Sequence, residues 1–203
     1  MMLSKLYKSQ KNMQDLLKKQ DKKEEVIDFV KTIIIAASVM LFIRFFIVQP
    51  FVVKGSSMEP NFYEKDYLIV DEISYRFNAP KRGDIIVFKY QEGNKKEYLI
   101  KRIVGLPGES VVIKDGKVYI KNSSGQLLLE EPYLPIDRET KGEMTEEIKE
   151  GDFFVLGDNR PVSLDSRYFG QISGSKIVGK VLLRGFPFNK FGLIEMGKPE
   201  LKK

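Results

Sequence analysis

The pattern of hydrophobic positions changes character near residue 50. The segment Thr32–Val48 (TIIIAASVMLFIRFFIV) is apolar on all sides and contains one charged residue, Arg44. With the preceding residues it extends over 26–48, long enough for a helix across a hydrocarbon core of roughly 30 Å. A cleaved signal peptide would need small residues after the apolar run, where bulky ones follow, and a buried core helix is usually apolar on one face. The pattern therefore predicts a transmembrane helix over 26–48.

After Pro50 the pattern consists of short β-rich runs separated by Gly, Pro, Asp and Asn. Asp115-Gly116 between two such runs indicates a two-residue hairpin turn. The polar, acid-rich segment 137–149 has little pattern and predicts an exposed excursion. The predicted fold is mainly β, with one N-terminal helix followed by an antiparallel β domain over 49–203. Its strands are expected at 51–53, 67–71, 84–90, 98–104, 110–113, 117–121, 153–157 and 177–184.

Charge predicts an orientation for this arrangement. The net charge of the chain is +6, and residues 1–25 hold seven lysines and four acidic residues. Lysines before a first span keep that end in the cytoplasm, which makes 1–25 a cytoplasmic tail and places 49–203 outside the cytoplasm. The predicted transmembrane helix makes membrane lipid an expected partner. The domain shows no basic patch with interleaved aromatic residues, so nucleic acid is not an expected partner.

Composition limits the available chemistry. The chain has no His and no Cys. A Ser-His-Asp triad, a thiol nucleophile, a disulfide and an imidazole or thiolate metal site are therefore excluded. We expect no metal and no cofactor. A hydrolase of this composition would use Ser or Thr activated by Lys.

Two segments offer such a pair. Gly55-Ser56-Ser57 precedes a proline and by itself is typical of an ordinary surface turn. Lys101 alternates with Leu99 and Ile103 on a strand face expected to be buried. A lysine there either reaches outward or is desolvated, and a pKa near 8 requires about 3 kcal/mol of burial and hydrogen bonding. A third segment, 157–170, is either a loop held by Asp–Arg pairs or a support for that lysine.

Four motifs together resemble bacterial type I signal peptidases: GSSMEP (55–60), RGDIIVF (82–88), KRIVGLPGE (101–109) and GDNRPVSLDSRYFG (157–170). They are spread over most of 51–187, and the N-terminal apolar run fits the same family. Residues 1–25 and 137–149 lie outside the resemblance. It implies a membrane-bound serine endopeptidase with a Ser-Lys dyad. Its expected partners are signal peptides of exported preproteins, cut at Ala-x-Ala sites, and a nearby secretion translocase.

The resemblance also implies residue roles. Ser57, directly before Met, corresponds to the nucleophile rather than Ser56, and Lys101 corresponds to the general base. The remaining polar residues of the motifs would orient the lysine or hold its surroundings: Ser163 as its hydrogen-bond partner, Asp165 in the same support, and Asp158 and Arg167 paired with Arg102 and Asp165.

The pattern departs from part of the family at Gly55, where some members carry a serine that completes the oxyanion hole. We therefore expect backbone N–H groups at Gly55 and Ser57 to form the hole, with the part played by Ser56 left open. The signal peptide would lie extended beside 51–55 and 97–101. The apolar residues expected to line its pockets are Val53, Met58, Phe62, Leu99 and Ile100.

Two other classes of protein remain open from the sequence. One is a soluble Ser-Lys protease of the repressor-autocleavage kind, against which the apolar run argues. The other is a catalytically silent β scaffold tethered to a membrane, against which the intact motif residues argue.

Overall fold

The computed structural model describes residues 22–41, 48–194 and 199–202. The chain divides into two units, Met1–Phe45 and Phe46–Lys203. In the first unit the described residues form helix α1 over 22–41, and their side chains are exposed. None of the helices in the described ranges has the length and apolarity that a membrane crossing requires. Residues 1–21 of the predicted tail and 42–47 of the predicted span lie outside the described residues, so these assignments remain predictions.

The second unit consists mostly of strands, as the sequence predicted. Short helices, α2 (Ser74–Phe77) and α3 (Ser166–Phe169), lie between strands, together with 3₁₀ turns at Gly174–Lys176 and Phe188–Lys190. The described strands are β1 (Val48–Val52), β2 (Tyr67–Asp71), β3 (Ile85–Glu92), β4 (Lys95–Gly105), β5 (Ser110–Lys114), β6 (Lys117–Asn122), β7 (Gly125–Glu130), β8 (Met144–Glu147), β9 (Asp152–Leu156), β10 (Ile172–Ser173), β11 (Ile177–Phe186), β12 (Gly192–Leu193) and β13 (Glu200–Lys202).

These strands form two sheets in which the paired strands are antiparallel. The larger sheet has the order β1-β2-β11-β3-β4-β9-β10, and β12 pairs with β11. The smaller sheet has the order β13-β7-β6-β5-β8. The predicted hairpin is confirmed: Lys114 pairs with Lys117, and Asp115 and Gly116 have φ values of 52° and 72°. Positive φ at both central residues is the geometry of a type I′ turn.

Two apolar clusters support the segments that carry the predicted chemistry. One packs residues of the larger sheet against the loop after β1, with Val53, Met58 and Phe62 buried. The other joins the two sheets through residues of β4, β5, β6 and β9, including Val104, Val111 and Phe154. Strand β4 is exposed at its start and buried from Lys101 onward, so this lysine lies where the strand enters the core.

The excursion predicted over 137–149 is only partly right. Most of its residues are exposed, but it contains β8, which pairs with β5, and Thr140 and Ile148 are each 2% exposed. The strand escaped prediction because it lies at the edge of its sheet. Edge pairing uses backbone hydrogen bonds and needs little apolar pattern in the sequence Met-Thr-Glu-Glu.

Candidate active site

The loop between β1 and β2 positions Ser57. At its start Gly55 has φ +78°, and a Cβ built there would meet no atom within 4 Å. The loop then closes on itself through the Phe62 N–H, which donates to the Met58 carbonyl at 2.9 Å. Both of these side chains are buried in the core beneath the loop. The apolar anchor thus holds the partly buried Ser57 at the surface of the sheet.

Lys101 lies beside this serine although 44 positions separate the two in the sequence. Strand β4 pairs Lys101 with Ile86, and the lysine side chain is 2% exposed. Its Nζ donates to Ser57 Oγ at 2.8 Å and to the Ile100 carbonyl at 2.9 Å. The fold therefore brings together the two residues that the resemblance assigned as nucleophile and base.

Burial changes the proton affinity of this lysine. Desolvation lowers the pKa of Lys101 to about 8, while the carboxylates of Asp165, Asp158 and Glu97 act in the opposite direction and raise it. With a pKa of about 8, roughly one lysine in ten is neutral at pH 7, against about one in three thousand for an unperturbed lysine. A neutral amine 2.8 Å from a hydroxyl can accept its proton.

The expected Asp158–Arg102 ion pair is present and buried. Arg102 donates to both carboxylate oxygens, at 2.9 and 2.7 Å, and the two side chains are 2% and 0% exposed. Asn61 Nδ2 donates a further hydrogen bond to Asp158 at 2.7 Å, and the Arg102 guanidinium lies 3.7 Å from the Tyr133 ring centroid. Asp158 thus connects β4, next to Lys101, to the loop that carries Ser57.

The Asp165–Arg167 pair is also present. Arg167 Nε donates to Asp165 at 2.9 Å, and the buried carboxylate also accepts from the Gly157 N–H at 3.0 Å. Asp165 therefore fixes the segment that follows β9. Among the neighbouring carboxylates, it has the largest effect in raising the pKa of Lys101.

Ser163 does not make the hydrogen bond expected of it. Its hydroxyl is buried and has no hydrogen-bond partner among the described residues. Lys101 Nζ instead donates to Ser57 and to the Ile100 carbonyl. The Ser163 hydroxyl lies tight against Gly157, where an added Cβ would clash with it. It is close to the dyad in the fold without being bonded to the lysine.

A cavity of about 520 Å³ opens beside the two dyad side chains, between segments 50–54 and 96–101. Val53, Leu99 and Ile100 line it, in agreement with the sequence-based expectation. Met58 and Phe62 do not line it, because they are 1% and 0% exposed and belong to the core below. Their place is taken by apolar residues that the sequence did not single out: Phe51, Leu68, Val87 and Tyr98.

Sequence reasoning also missed polar residues that hold the site. Arg160 is buried, donates from Nε to the Gly157 carbonyl at 3.1 Å, and pairs with Glu131. Asn159 donates to the backbone of the Ser57 loop, and Arg138 donates to Asn159. Asn159 and Arg160 lie inside the quoted 157–170 motif, which could have drawn attention to them. Glu131, Arg138 and the Ser57 loop are distant from them in the sequence, and no local signal identifies these partners.

Comparisons with known proteins show which family the chain belongs to. The family described as "Signal peptidase, peptidase S26" matches residues 26–186. Signal peptidase I from Leptolyngbya laminosa is 38% identical over 182 residues, which cover 86% of this chain and 85% of that protein. Signal peptidase IB from Staphylococcus aureus (strain COL) is 32% identical over 186 residues, covering 83% of this chain and 94% of that protein. A crystal structure of a signal peptidase I from Enterococcus faecalis V583 is 32% identical and covers 51% of this chain and 97% of its own, with a TM-score of 0.42. The chain belongs to the signal peptidase family, peptidase S26.

Proposed function

We propose that this protein is a membrane-anchored serine endopeptidase that removes N-terminal signal peptides from exported preproteins. It cuts after small residues at Ala-x-Ala sites, with Ser57 as nucleophile and Lys101 as general base. The observation that carries the proposal is the 2.8 Å hydrogen bond between Lys101 Nζ and Ser57 Oγ, made by a lysine that is 2% exposed.

The reaction begins with neutral Lys101, which takes the hydroxyl proton as Ser57 Oγ attacks the scissile carbonyl carbon. The protonated lysine then gives that proton to the leaving amine as the peptide C–N bond breaks. Lys101 then takes a proton from a water molecule, whose oxygen attacks the carbonyl carbon of the resulting acyl ester. The ester C–O bond breaks, Lys101 returns the proton to Ser57 Oγ, and the signal peptide leaves with a free carboxylate. Burial makes each uptake possible near neutral pH because it lowers the pKa of Lys101 to about 8 and so leaves a fraction of the lysine unprotonated.

Negative charge develops on the carbonyl oxygen during attack and needs hydrogen-bond donors. The N–H groups of Gly55 and Ser57 are the donors in this proposal. The open space beside Gly55 supports it, since a Cβ built there would have no heavy atom within 4 Å apart from those of Gly55 and its two chain neighbours. The side chain of Ser56 is exposed and makes no hydrogen bond to other described residues, and the proposal assigns it no part in the hole.

The signal peptide occupies the cavity between segments 50–54 and 96–101 in an extended conformation. Such binding uses backbone hydrogen bonds for affinity and small side-chain pockets for specificity. Val53, Leu99 and Ile100 close these pockets, which favours the small residues of an Ala-x-Ala site.

The proposal places this domain, 49–203, on the outer side of the cytoplasmic membrane. Residues 26–48 anchor it, and the lysine-rich tail 1–25 stays in the cytoplasm. Membrane lipid and the secretion translocase are then its neighbours, and substrate and enzyme meet at the same membrane surface.

The test is cleavage in detergent of a preprotein with an Ala-x-Ala site, by the full chain and by Ser57→Ala, Lys101→Met and Ser56→Ala variants. The Ser56 variant is the matched control, since it removes a hydroxyl next to the nucleophile. We expect product at the Ala-x-Ala site for the wild type and Ser56→Ala alone. The rate should rise with pH as Lys101 loses its proton.

A Ser57→Ala variant that cuts as fast as the wild type would place the chemistry elsewhere. A wild-type chain that is inert on several such preproteins would favour the silent scaffold instead.

A further inference from the structure

Asn159 uses all of its polar groups next to the nucleophile. Its backbone N–H donates to the Ser57 carbonyl at 3.0 Å, and its Nδ2 donates to the Ser56 carbonyl at 3.0 Å. Its Oδ1 accepts from Arg138 at 2.6 Å, and its carbonyl accepts from the Ser163 N–H at 3.0 Å. Asn159 therefore donates hydrogen bonds to two consecutive peptide groups of the loop that carries the nucleophile.

The neighbours of the Asn159 amide determine its orientation. The Ser56 carbonyl can only accept a hydrogen bond, and the Arg138 guanidinium can only donate one. Nδ2 must therefore face Ser56 and Oδ1 must face Arg138. Arg138 belongs to segment 137–149, outside the four motifs, so a residue from this segment sets the plane of an amide at the active site.

The Ser56 carbonyl belongs to the same peptide group as the Ser57 N–H. This peptide is trans, in which the C=O and N–H bonds point in opposite directions. Holding the Ser56 oxygen on Asn159 consequently aims the Ser57 N–H away from Asn159. That N–H makes no hydrogen bond to any other part of the described chain, and the space beside the preceding Gly55 is open.

We propose that Asn159, oriented by Arg138, is a positioning residue that aims the Ser57 N–H at the oxyanion formed during acylation. The inference rests on the proposed function and deepens it. Asn159 does not touch the substrate. It acts by fixing the orientation of the Ser56–Ser57 peptide group. That orientation determines how well the Ser57 N–H can donate to the negatively charged carbonyl oxygen.

The test measures kcat and KM for preprotein cleavage by the full chain in detergent, the pH profile, and inhibition by a peptide aldehyde ending in alanine. Ser57 Oγ adds to the aldehyde carbon, its proton passes to Lys101, and the former carbonyl oxygen becomes an alkoxide. This probe therefore reports on the oxyanion donors without a leaving group. The variants are Asn159→Ala, Asn159→Asp, Arg138→Met and Arg138→Lys, with Asn94→Ala in the exposed β3–β4 turn as control.

We expect Asn159→Ala to lower kcat by about tenfold or more, since loss of a whole oxyanion donor typically costs about a hundredfold. KM should stay within about twofold, and the pH midpoint should not move, because no bond of Asn159 reaches Lys101. Aldehyde affinity should fall by the same factor as kcat. Asn159→Asp keeps the acceptor for Arg138 and loses the donor to Ser56, so it should behave like Asn159→Ala. Arg138→Met should give a smaller loss that Arg138→Lys restores.

The inference is overturned if Asn159→Asp, folded by circular dichroism, keeps wild-type kcat and aldehyde affinity. It is also overturned if activity falls while aldehyde affinity stays unchanged, which would indicate a structural role. Failure of the proposed function looks different: the wild type would then be inert, or Ser57→Ala active, whatever the Asn159 variants do.

Discussion

Replacing Lys101 with methionine removes a buried charge and tests what that burial costs the folded protein. The pKa of Lys101 is lowered from 10.5 to about 8, mainly by desolvation. At pH 7 the protonated lysine therefore destabilises the folded state by about 3 kcal/mol. Methionine has a similar length and no charge, but it loses hydrogen bonds to Ser57 and to the Ile100 carbonyl, about 1 kcal/mol each. We expect Lys101→Met to be inactive and about 1 kcal/mol more stable than the wild type at pH 7.

The pH dependence makes this prediction sharper. Between pH 8 and 10.5 the unfolded wild type binds a proton at this lysine that the folded state does not hold, so wild-type stability rises with pH. The methionine variant lacks this rise of about 3 kcal/mol, so the order of stability should reverse by pH 10.5. The assay is urea unfolding of both chains in detergent at pH 7 and at pH 10.5, followed by far-ultraviolet circular dichroism.

Lys89→Met provides the matched control, because Lys89 is an exposed lysine on the neighbouring strand β3. Its stability relative to wild type should be the same at both pH values. The reasoning is refuted if Lys101→Met is less stable than the wild type by an equal amount at pH 7 and pH 10.5, which would mean that Lys101 carries no burial penalty.

Three further predictions concern the surroundings of the dyad. Asp165→Asn removes a carboxylate that raises the pKa of Lys101, so the midpoint of kcat/KM against pH should move below about 8; an unchanged or higher midpoint would contradict the assigned charge effect. Asp158→Asn leaves Arg102 buried without its counter-ion and should cost about 3–5 kcal/mol in chemical denaturation. A loss below about 1 kcal/mol, typical of an exposed pair, would show that the pair is not desolvated. Gly157→Ala puts a methyl group 2.5 Å from the Ser57 carbonyl oxygen, so the loop that carries Ser57 must shift and kcat should fall by about a hundredfold. A wild-type rate would show that this loop can move without loss of activity.

Several features of this protein are readable without its fold because they depend on neighbours in the sequence. Short β-rich runs bounded by turn residues predicted eight strands that the described structure contains with small shifts at their ends. Asp115-Gly116 specified its turn because both residues adopt positive φ readily. The order and residue content of the four motifs resembled a known family and so pointed to Ser57 as nucleophile and Lys101 as general base. The absence of His and Cys removed the other common ways to activate a nucleophile.

The edge strands of the smaller sheet were not readable in this way. Strands β8 and β13 lie at the two edges of that sheet. An edge strand needs only hydrogen-bonding backbone and one partner, so its sequence need not alternate. The same limit applies to Met58 and Phe62, whose apolar character fits a core and a pocket equally well.

What the sequence determined alone is the β-rich character of the domain, its hairpin turn and the residue types available for proton transfer. The tertiary structure decided which polar groups meet. The contact between Lys101 and Ser57 and the bridge from Arg138 through Asn159 join residues that are distant in the chain. The same packing buries Lys101 and the Ser163 hydroxyl, which has no hydrogen-bond partner among the described residues. Desolvation and hydrogen-bond geometry depend on distances between atoms, and only the packed sheets set those distances.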